Sequence, residues 1–473
     1  MESLTWTGAL GPWLNPAIQI AALALVISAI ANILVSVFTA DDRVHYGPDG
    51  AVLQSSNATR YTRTAMMLSL AALILIALGY LVGGILLPAE QKGIIGRIST
   101  RFLPVWIALV LVFAISIAFK RRLGLYGHLF DNVIGMIGFG LVAFWVFSAI
   151  FADMIITFDP VQDVISGMKN KAPGTPLPSP GEGQYGYYLL GGDAIARDVF
   201  SRMVAGARVV LTIAPAATLF AFMVGIVLGV PAGYIGGRFD TVLSFVANLV
   251  LAFPVILLFF LLVTPEIVQM GVPTYMAGIL FLFPIAFLVI LWNSRFHTQP
   301  MTRNLLVAGT LLIGGWLYLG LAWDMDPFGL ISIPGGVLIV FVSVVFVNSP
   351  TVFRIVRGLT LDIRTRDYVA AAQTRGEGRW YIMLWEILPN ARGPLLVDFC
   401  LRIGYTTILL GTLGFFGLGL PPESPDWGTS INAGRGLLQF FPFPPLVPAV
   451  AIMSLVLGLN LLADGLREES LKD

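Results

Sequence analysis

Charge is what this sequence has least of. Only 12% of its 473 residues are Asp, Glu, Lys or Arg, against 57% hydrophobic; soluble chains carry roughly 25% charged residues. The mean hydropathy is +0.85. These values exclude a soluble globular enzyme, a disordered chain and a nucleic-acid binder with a basic face. Cysteine occurs once, at Cys400, which excludes an internal disulfide and a cysteine-based metal cluster within the chain. The three histidines, His45, His128 and His297, are scattered over loop-like stretches. None of the five lysines follows a glycine, so the GK[ST] phosphate loop is missing. HExxH, CxxC and a GxSxG with a plausible triad are missing too. No catalytic residue, cofactor site or metal site is expected: the chain reads as a protein that is not an enzyme.

What is present is a series of apolar runs. A helix rises about 1.5 Å per residue, so about 20 apolar residues cross a bilayer core of about 30 Å. Eleven runs qualify: 17–39, 65–87, 103–119, 130–152, 209–231, 241–263, 274–292, 304–323, 332–348, 395–418 and 444–464. They are continuously apolar without polar alternation, which predicts helices rather than a barrel. The fold class is an all-α polytopic membrane protein. The leader Met1 to Pro16 carries no Lys or Arg, unlike a cleavable signal peptide, and favours an outside N-terminus. Alternating sides from there puts 18 of the 28 basic residues inside, among them Arg43, Lys120, Arg121, Arg122, seven arginines from Arg354 to Arg392, Arg467 and Lys472. That bias predicts a cytoplasmic C-terminus. The loop 88–102 opposes it with Lys92, Arg97 and Arg101 on the outer side.

The spans are almost free of ionisable groups. Asp398 and Arg402, four residues apart, stand at the inner end of one span and can pair along the helix. An ion-coupled secondary transporter would place paired charges deep in its spans and show internal repeats; neither is seen. A membrane scaffold without transport is the other alternative.

Two polar segments interrupt the apolar pattern: 153–208, rich in Pro, Gly and Asp, and 349–394, rich in Arg. The second contains Tyr368-Val369-Ala370-Ala371-Ala372-Gln373-Thr374-Arg375-Gly376 and, after a further stretch, Leu388-Pro389. Alanines favour helix up to Arg375, and Gly376 permits a backbone conformation that other residues resist. A second short helix from Arg379 to Glu386, ended by Leu388-Pro389, would lie across the inner face. It would present Trp380, Tyr381, Met383 and Leu384 to a partner.

The spacing of Ala371, Ala372, Gly376, Leu388 and Pro389 resembles the EAA loop of ATP-binding cassette importer permeases, with Ala370 in the usual Glu position and Glu386 in place of the usual Ile or His. Asp193 to Arg202, then Gly206-Ala207-Arg208, resembles the block before the second core helix of dipeptide/oligopeptide-type permeases, with Ala196 where Gly is usual. Gly225, Gly229, Gly233 and Asp240 match the next block. Phe415-Phe416-Gly417-Leu418-Gly419 and Trp427-Gly428 match the block after the fifth core helix, and Asn460 with Asp464-Gly465-Leu466-Arg467 the C-terminal one. The chain is similar to the C-type of the two paired permease subunits.

The resemblance implies a six-helix type I importer core at 125–265 and 332–473, with three extra spans in 1–124 and an inserted pair in 266–331. It implies a multi-pass protein of the inner membrane forming half of a path for short peptides, or for nickel complexes, opines or glycans. The implied partners are a second permease subunit making a heterodimer, two ATPase subunits and an extracytoplasmic solute-binding protein. The chain itself would hold no cofactor; ATP and Mg would be bound by the ATPases. Tyr368, Ala371, Ala372, Gly376, Trp380, Tyr381, Met383, Leu384, Leu388 and Pro389 would contact the ATPases. Asp193, Arg197, Asp198, Arg202, Gly417, Gly419 and Trp427 would serve structural or gating roles at the outer face.

Overall fold

The computed structural model describes residues 2–38, 45–46, 52–53, 57–330, 335–418 and 420–470. Arg43, Gly419 and Lys472 lie outside the described residues. Ten helices among the described residues are long and apolar enough to cross a membrane, and one bent pair passes the same test as a unit. Each of the eleven expected runs finds one of these.

The first part comprises α1 (Gly11–Phe38), α2 (Asn57–Leu86), the short α3 (Ile94–Arg101), α4 (Leu103–Phe119), α5 (Leu125–His128), α6 (Val133–Ile150) and α7 (Ala152–Ile155). Then come α8 (Val199–Ile235), α9 (Gly237–Leu251), α10 (Val255–Val263), α11 (Pro265–Gln269), α12 (Val272–Leu280), α13 (Leu282–Arg295) and α14 (Pro300–Trp323). The last part holds α15 (Gly335–Ile363), α16 (Asp367–Thr374), α17 (Arg379–Tyr381), α18 (Arg392–Phe415), α19 (Trp427–Gly434) and α20 (Phe443–Ser470). The strands are two short hairpins, β1 (His45–Tyr46) with β2 (Val52–Leu53) and β3 (Thr175–Pro176) with β4 (Tyr187–Tyr188).

Glycine sets the closest approach in the bundle. α8 and α15 run parallel, and a Cβ on Gly225, Gly229 or Gly233 would stand 2.5–3.0 Å from Val352, Phe353, Val356, Arg357 or Thr360 atoms. Small residues at every fourth position open one helix face to a neighbour in this way. α20 runs antiparallel to α6 through similar contacts at Gly138 and Gly458, and antiparallel to α18, where Gly404 leaves ordinary spacing to Leu459 and Asn460. The main core gathers Val210, Ala214 and Ala217 of α8, Val340 and Val344 of α15, Leu410 of α18 and Leu455 of α20.

The run 241–263 is not one straight span. α9 and α10 meet at a bend of 83°, with Ala252 and Phe253 between them and Pro254 heading α10. A proline lacks the N–H an unbroken helix needs and biases the residue before it out of the helical region. Hydropathy is continuous across the break, so the run looks like one span.

The three basic residues of 88–102 are absorbed locally. Arg97 lies 4.8 Å from the centre of the Tyr187 ring and Arg101 4.7 Å from that of Tyr185. Lys92 donates to the Ile85 carbonyl and to Thr100 Oγ1. Cation–π stacking and carbonyl acceptors hold these charges on the face where they looked misplaced. The N-terminal segment shares that face: Leu4 N–H donates to the Gly174 carbonyl, and Trp6 packs on Phe443 with ring centres 5.7 Å apart.

Candidate functional site

The polar segment that follows α15 folds as a knuckle. α16 ends at Thr374, and Gly376 adopts a φ of +79° that turns the chain. The Gly376 and Glu377 N–H groups donate back to the Gln373 and Ala372 carbonyls, closing the helix end. Arg375 Nη2 donates to Glu386 Oε1 at 3.0 Å, bridging the two arms of the turn.

The second arm differs from the expected short helix. α17 passes directly into a π-helical stretch, Ile382–Ile387, then a 3-10 turn, Pro389–Ala391, and then α18. Pro389 does not end the helix. It sits at the first position of the 3-10 turn, where its missing N–H costs little. The helical path therefore runs from Arg379 to Phe415, joining this segment directly to a span.

The π turn also re-aims the side chains. Met383 and Leu384, expected to be available to a partner, are buried with Ile382 and Ile387 against the chain's own helices. A wider turn shifts the phase of every later side chain, and the α-helical period used to read this stretch does not include it. Tyr381 and Leu388 are half-buried, and Ala372 is on the buried face of α16. The outward surface is instead Tyr368, Ala370, Ala371, Gln373, Thr374, Arg375, Gly376, Gly378, Arg379 and Pro389. Trp380 is 44% exposed and leans toward Ile290, Asn293 and Val307.

The span ends beside this knuckle are tied to it and to one another. Arg357 of α15 forms a two-pronged pair with Asp240 of α9, with Nη2–Oδ2 at 2.6 Å. Arg364 Nη1 donates to the Gly233 carbonyl at 2.8 Å, and Gln373 Nε2 to the Tyr234 hydroxyl at 3.2 Å. Asp398 and Arg402 pair at 3.1 Å on α18.

On the opposite face, residues far apart in sequence converge. Asp193 accepts from the Ile195 and Arg197 N–H groups and from Arg197 Nε, each at 2.9 Å. Asp198 caps α8, accepting from Ser201 N–H at 3.0 Å and from the Ser201 and Thr157 hydroxyls. Its other oxygen, Oδ1, is buried without a partner. Burial pushes this carboxyl up to about 6, partly opposed by the Ser201 and Thr157 hydrogen bonds. Arg202 is buried and stitches two loops together, donating to the carbonyls of Pro160, Glu423 and Ser424 at 2.8, 3.2 and 2.7 Å.

Trp427 completes this seam. It is fully buried, donates Nε1 to the Met203 carbonyl at 2.9 Å and packs edge-on to Trp145. Gly206 makes room for it: a Cβ there would lie 2.6 Å from the indole. Asp426 caps α19 through the Gly428 and Thr429 N–H groups, and burial raises its carboxyl. Gly417 ends α18 at a φ of +72°. Asp193, Arg197, Asp198, Arg202 and Trp427 thus form one locked seam on the face opposite the knuckle.

A third feature went unread in the sequence. Thr218 of α8, Asn348 of α15 and Thr406 of α18 meet inside the bundle, with Thr218–Thr406 and Asn348–Thr406 contacts of 3.3 Å. Uncharged polar residues at matching depths were the available signal.

Comparison with known proteins places this geometry in context. Residues 225–468 match the family described as binding-protein-dependent transport system inner membrane component. The chain is 28% identical over 287 residues to a glutathione transport system permease protein of Pectobacterium atrosepticum, covering 61% of this chain and 73% of the relative. It is 27% identical over 351 residues to a dipeptide transport system permease protein of Haemophilus influenzae, covering 74% and 90%. An oligopeptide transport system permease protein of Bacillus subtilis is 25% identical over 339 residues, covering 72% and 85%.

Proposed function

Starting from the fact that the chain belongs to the binding-protein-dependent transport system inner membrane components, we propose that its inner-face knuckle, 364–392, is where ATPase subunits dock and drive it. The chain is a permease subunit of an ATP-binding cassette importer, a transport component and not an enzyme. Its relatives carry names for dipeptide, oligopeptide and glutathione transport, and short peptides are the substrate class proposed here.

The observation that carries the docking surface is the unbroken helical path from Arg379 to Phe415. A push on the exposed rim formed by Ala371, Arg375 and Gly376 reaches this path across the turn at Gly376, which the Arg375–Glu386 bridge spans. The same push reaches α8, α9 and α15 through Arg364, Gln373 and the Arg357–Asp240 pair. Two ATPases would supply ATP and Mg chemistry, and a second permease subunit would complete the path. A solute-binding protein would deliver substrate at the outer seam, with the inner face cytoplasmic as the arginine distribution favours. The proposed division is a core at 125–265 and 332–473, with 1–124 and 266–331 added around it.

Gly376→Val tests this docking surface. A β-branched residue resists the +79° φ that closes α16. The variant is expected to insert in the membrane normally while binding of ATPase subunits and ATP-driven uptake fall at least about tenfold. Full uptake by Gly376→Val would show that the knuckle is not the docking surface.

A further inference from the structure

The helices of 266–331 read in the sequence as a pair inserted into the core, yet one end of that pair grips the knuckle. Trp385, on the π turn, donates its indole N–H to Ser294 Oγ at 3.1 Å. Ser294 lies in the last turn of α13 and is 8% exposed. The next residue, Arg295, sets its guanidinium 4.8 Å from the centre of the Trp385 ring. One to two turns earlier, Phe287 and Ile290 of α13 share a small cleft with Trp380, Met383 and Leu384 and with Val227 and Val230 of α8. The knuckle's second arm is therefore held from two sides. Ile382 and Ile387 face the core, and Trp380 and Trp385 face α13.

Helices that merely faced lipid would have no use for this arrangement. A helical serine commonly donates to a carbonyl one turn back along its own helix; the Ser294 hydroxyl oxygen also accepts the indole N–H of a different segment. Arg295 would serve as an inner-face anchor equally well pointing into the headgroup region. Here its flat guanidinium covers an indole face, the arrangement that favours Arg over Lys. Hydrogen bond and stacking converge on one ring, and that ring stands on the segment that joins the docking rim to α18.

We propose that Ser294 and Arg295 are positioning residues for energy coupling: α13 fixes Trp385, and through it the π turn, so that motion at the docking rim is passed to α18 rather than dissipated in the turn. This rests on the docking role of the knuckle. It makes α13 a working part of the stroke, not an addition to the outside of the bundle.

The test uses the intact transporter in nanodiscs, with both permeases, both ATPases and the solute-binding protein. Two quantities are read: stimulation of ATP hydrolysis by the binding protein with a mixture of di- and tripeptides, and amide hydrogen exchange over 382–388. Ser294→Ala and Arg295→Gln are each expected to cut the stimulation about three- to tenfold, with ATPase subunits still bound. Exchange over 382–388 should quicken at least about threefold, with that over 225–235 unchanged. Ser294→Thr, which keeps the hydroxyl, should restore both. Trp385→Phe should match Ser294→Ala, and combining the two should add nothing. Normal stimulation and exchange in Ser294→Ala and Arg295→Gln, alongside a Gly376→Val variant that fails to bind ATPases, would overturn this inference alone. Normal ATPase binding by Gly376→Val would overturn the docking surface and this inference with it.

Discussion

At the scale of single residues, the outer seam holds two that work against their surroundings. Ala196 has a φ of +71°, in the left-handed region where a Cβ costs about 1–2 kcal/mol. Tyr188 donates its hydroxyl to the Ala196 carbonyl and helps hold it there. Ala196→Gly relieves the strain at some cost in unfolded-chain entropy, so a rise in thermal midpoint is expected, equivalent to up to about 1 kcal/mol. An unchanged or lower midpoint by scanning fluorimetry would count against strain at this position. Asp198 is the other. Its carboxyl titrates in the folded protein near 6 because of burial, above the usual unfolded value near 3.9. The folded state thus binds the proton more tightly, and the stabilisation is complete below about pH 4 and lost as pH rises through 6. The thermal midpoint should fall between pH 5 and 7, and Asp198→Asn, which keeps an oxygen for the Ser201 N–H, should flatten that slope. Equal slopes in both proteins would contradict the assignment. Asp426 shifts in the same direction, so a shallower slope should persist in the variant.

At the scale of elements, the α8–α15 seam depends on the absence of side chains. A Cβ on Gly229 would stand 3.0 Å from Val356 Cβ and from the Phe353 carbonyl. Gly229→Leu should therefore push the helices apart and cost roughly 1–3 kcal/mol or more. Gly358 meets nothing within 4 Å, so Gly358→Ala should be neutral or mildly stabilising. Comparing the midpoints of the two variants checks the seam; equal losses would argue against close packing as its cause. The spacing of Gly225 and Gly229 made the small face legible in the sequence, but not its partner, because that depends on helices over a hundred residues apart. Gly376 was legible as a turn, since few other residues hold its φ. The bend before Pro254 and the π turn at 382–387 were not, because hydropathy is blind to a broken or rephased helix. That blindness is why Met383 and Leu384 were expected on the outside. The pairing of Trp385 with Ser294 was hidden for another reason: neither residue belongs to a motif, and only the fold brings them together.

At the scale of the whole molecule, the segments of 1–124 attach in two different ways. α1 and α2 pack chiefly on each other and on α3. Their two ends return to the same point, where Gly8 and Gly93 touch backbone to backbone. Residues just beyond do more: Phe102 and Val105 are buried in one cluster with Leu189 and Phe200, and Ile94 is buried beside Gly174. Replacing 11–86 by a short linker should therefore preserve assembly and ATPase stimulation. Deleting 1–100 should lower the yield of assembled transporter severalfold, because it removes Ile94 and the Leu4 contact to Gly174. Equal yields of assembled complex from the two truncations, by size-exclusion chromatography, would contradict this division. The inner-face knuckle is the other part of the whole-molecule account, since every tie from it to a span is an inferred route for force. Its most direct test is cross-linking in a Cys400→Ala background, with single cysteines at Ala371, Arg375 and Gly378 and controls at Tyr405 and Arg435. Cysteines at the first three positions should cross-link to the ATPase subunits, with yields that change when ATP is added, while the two controls should not. Labelling of the controls in preference to the knuckle would contradict the account.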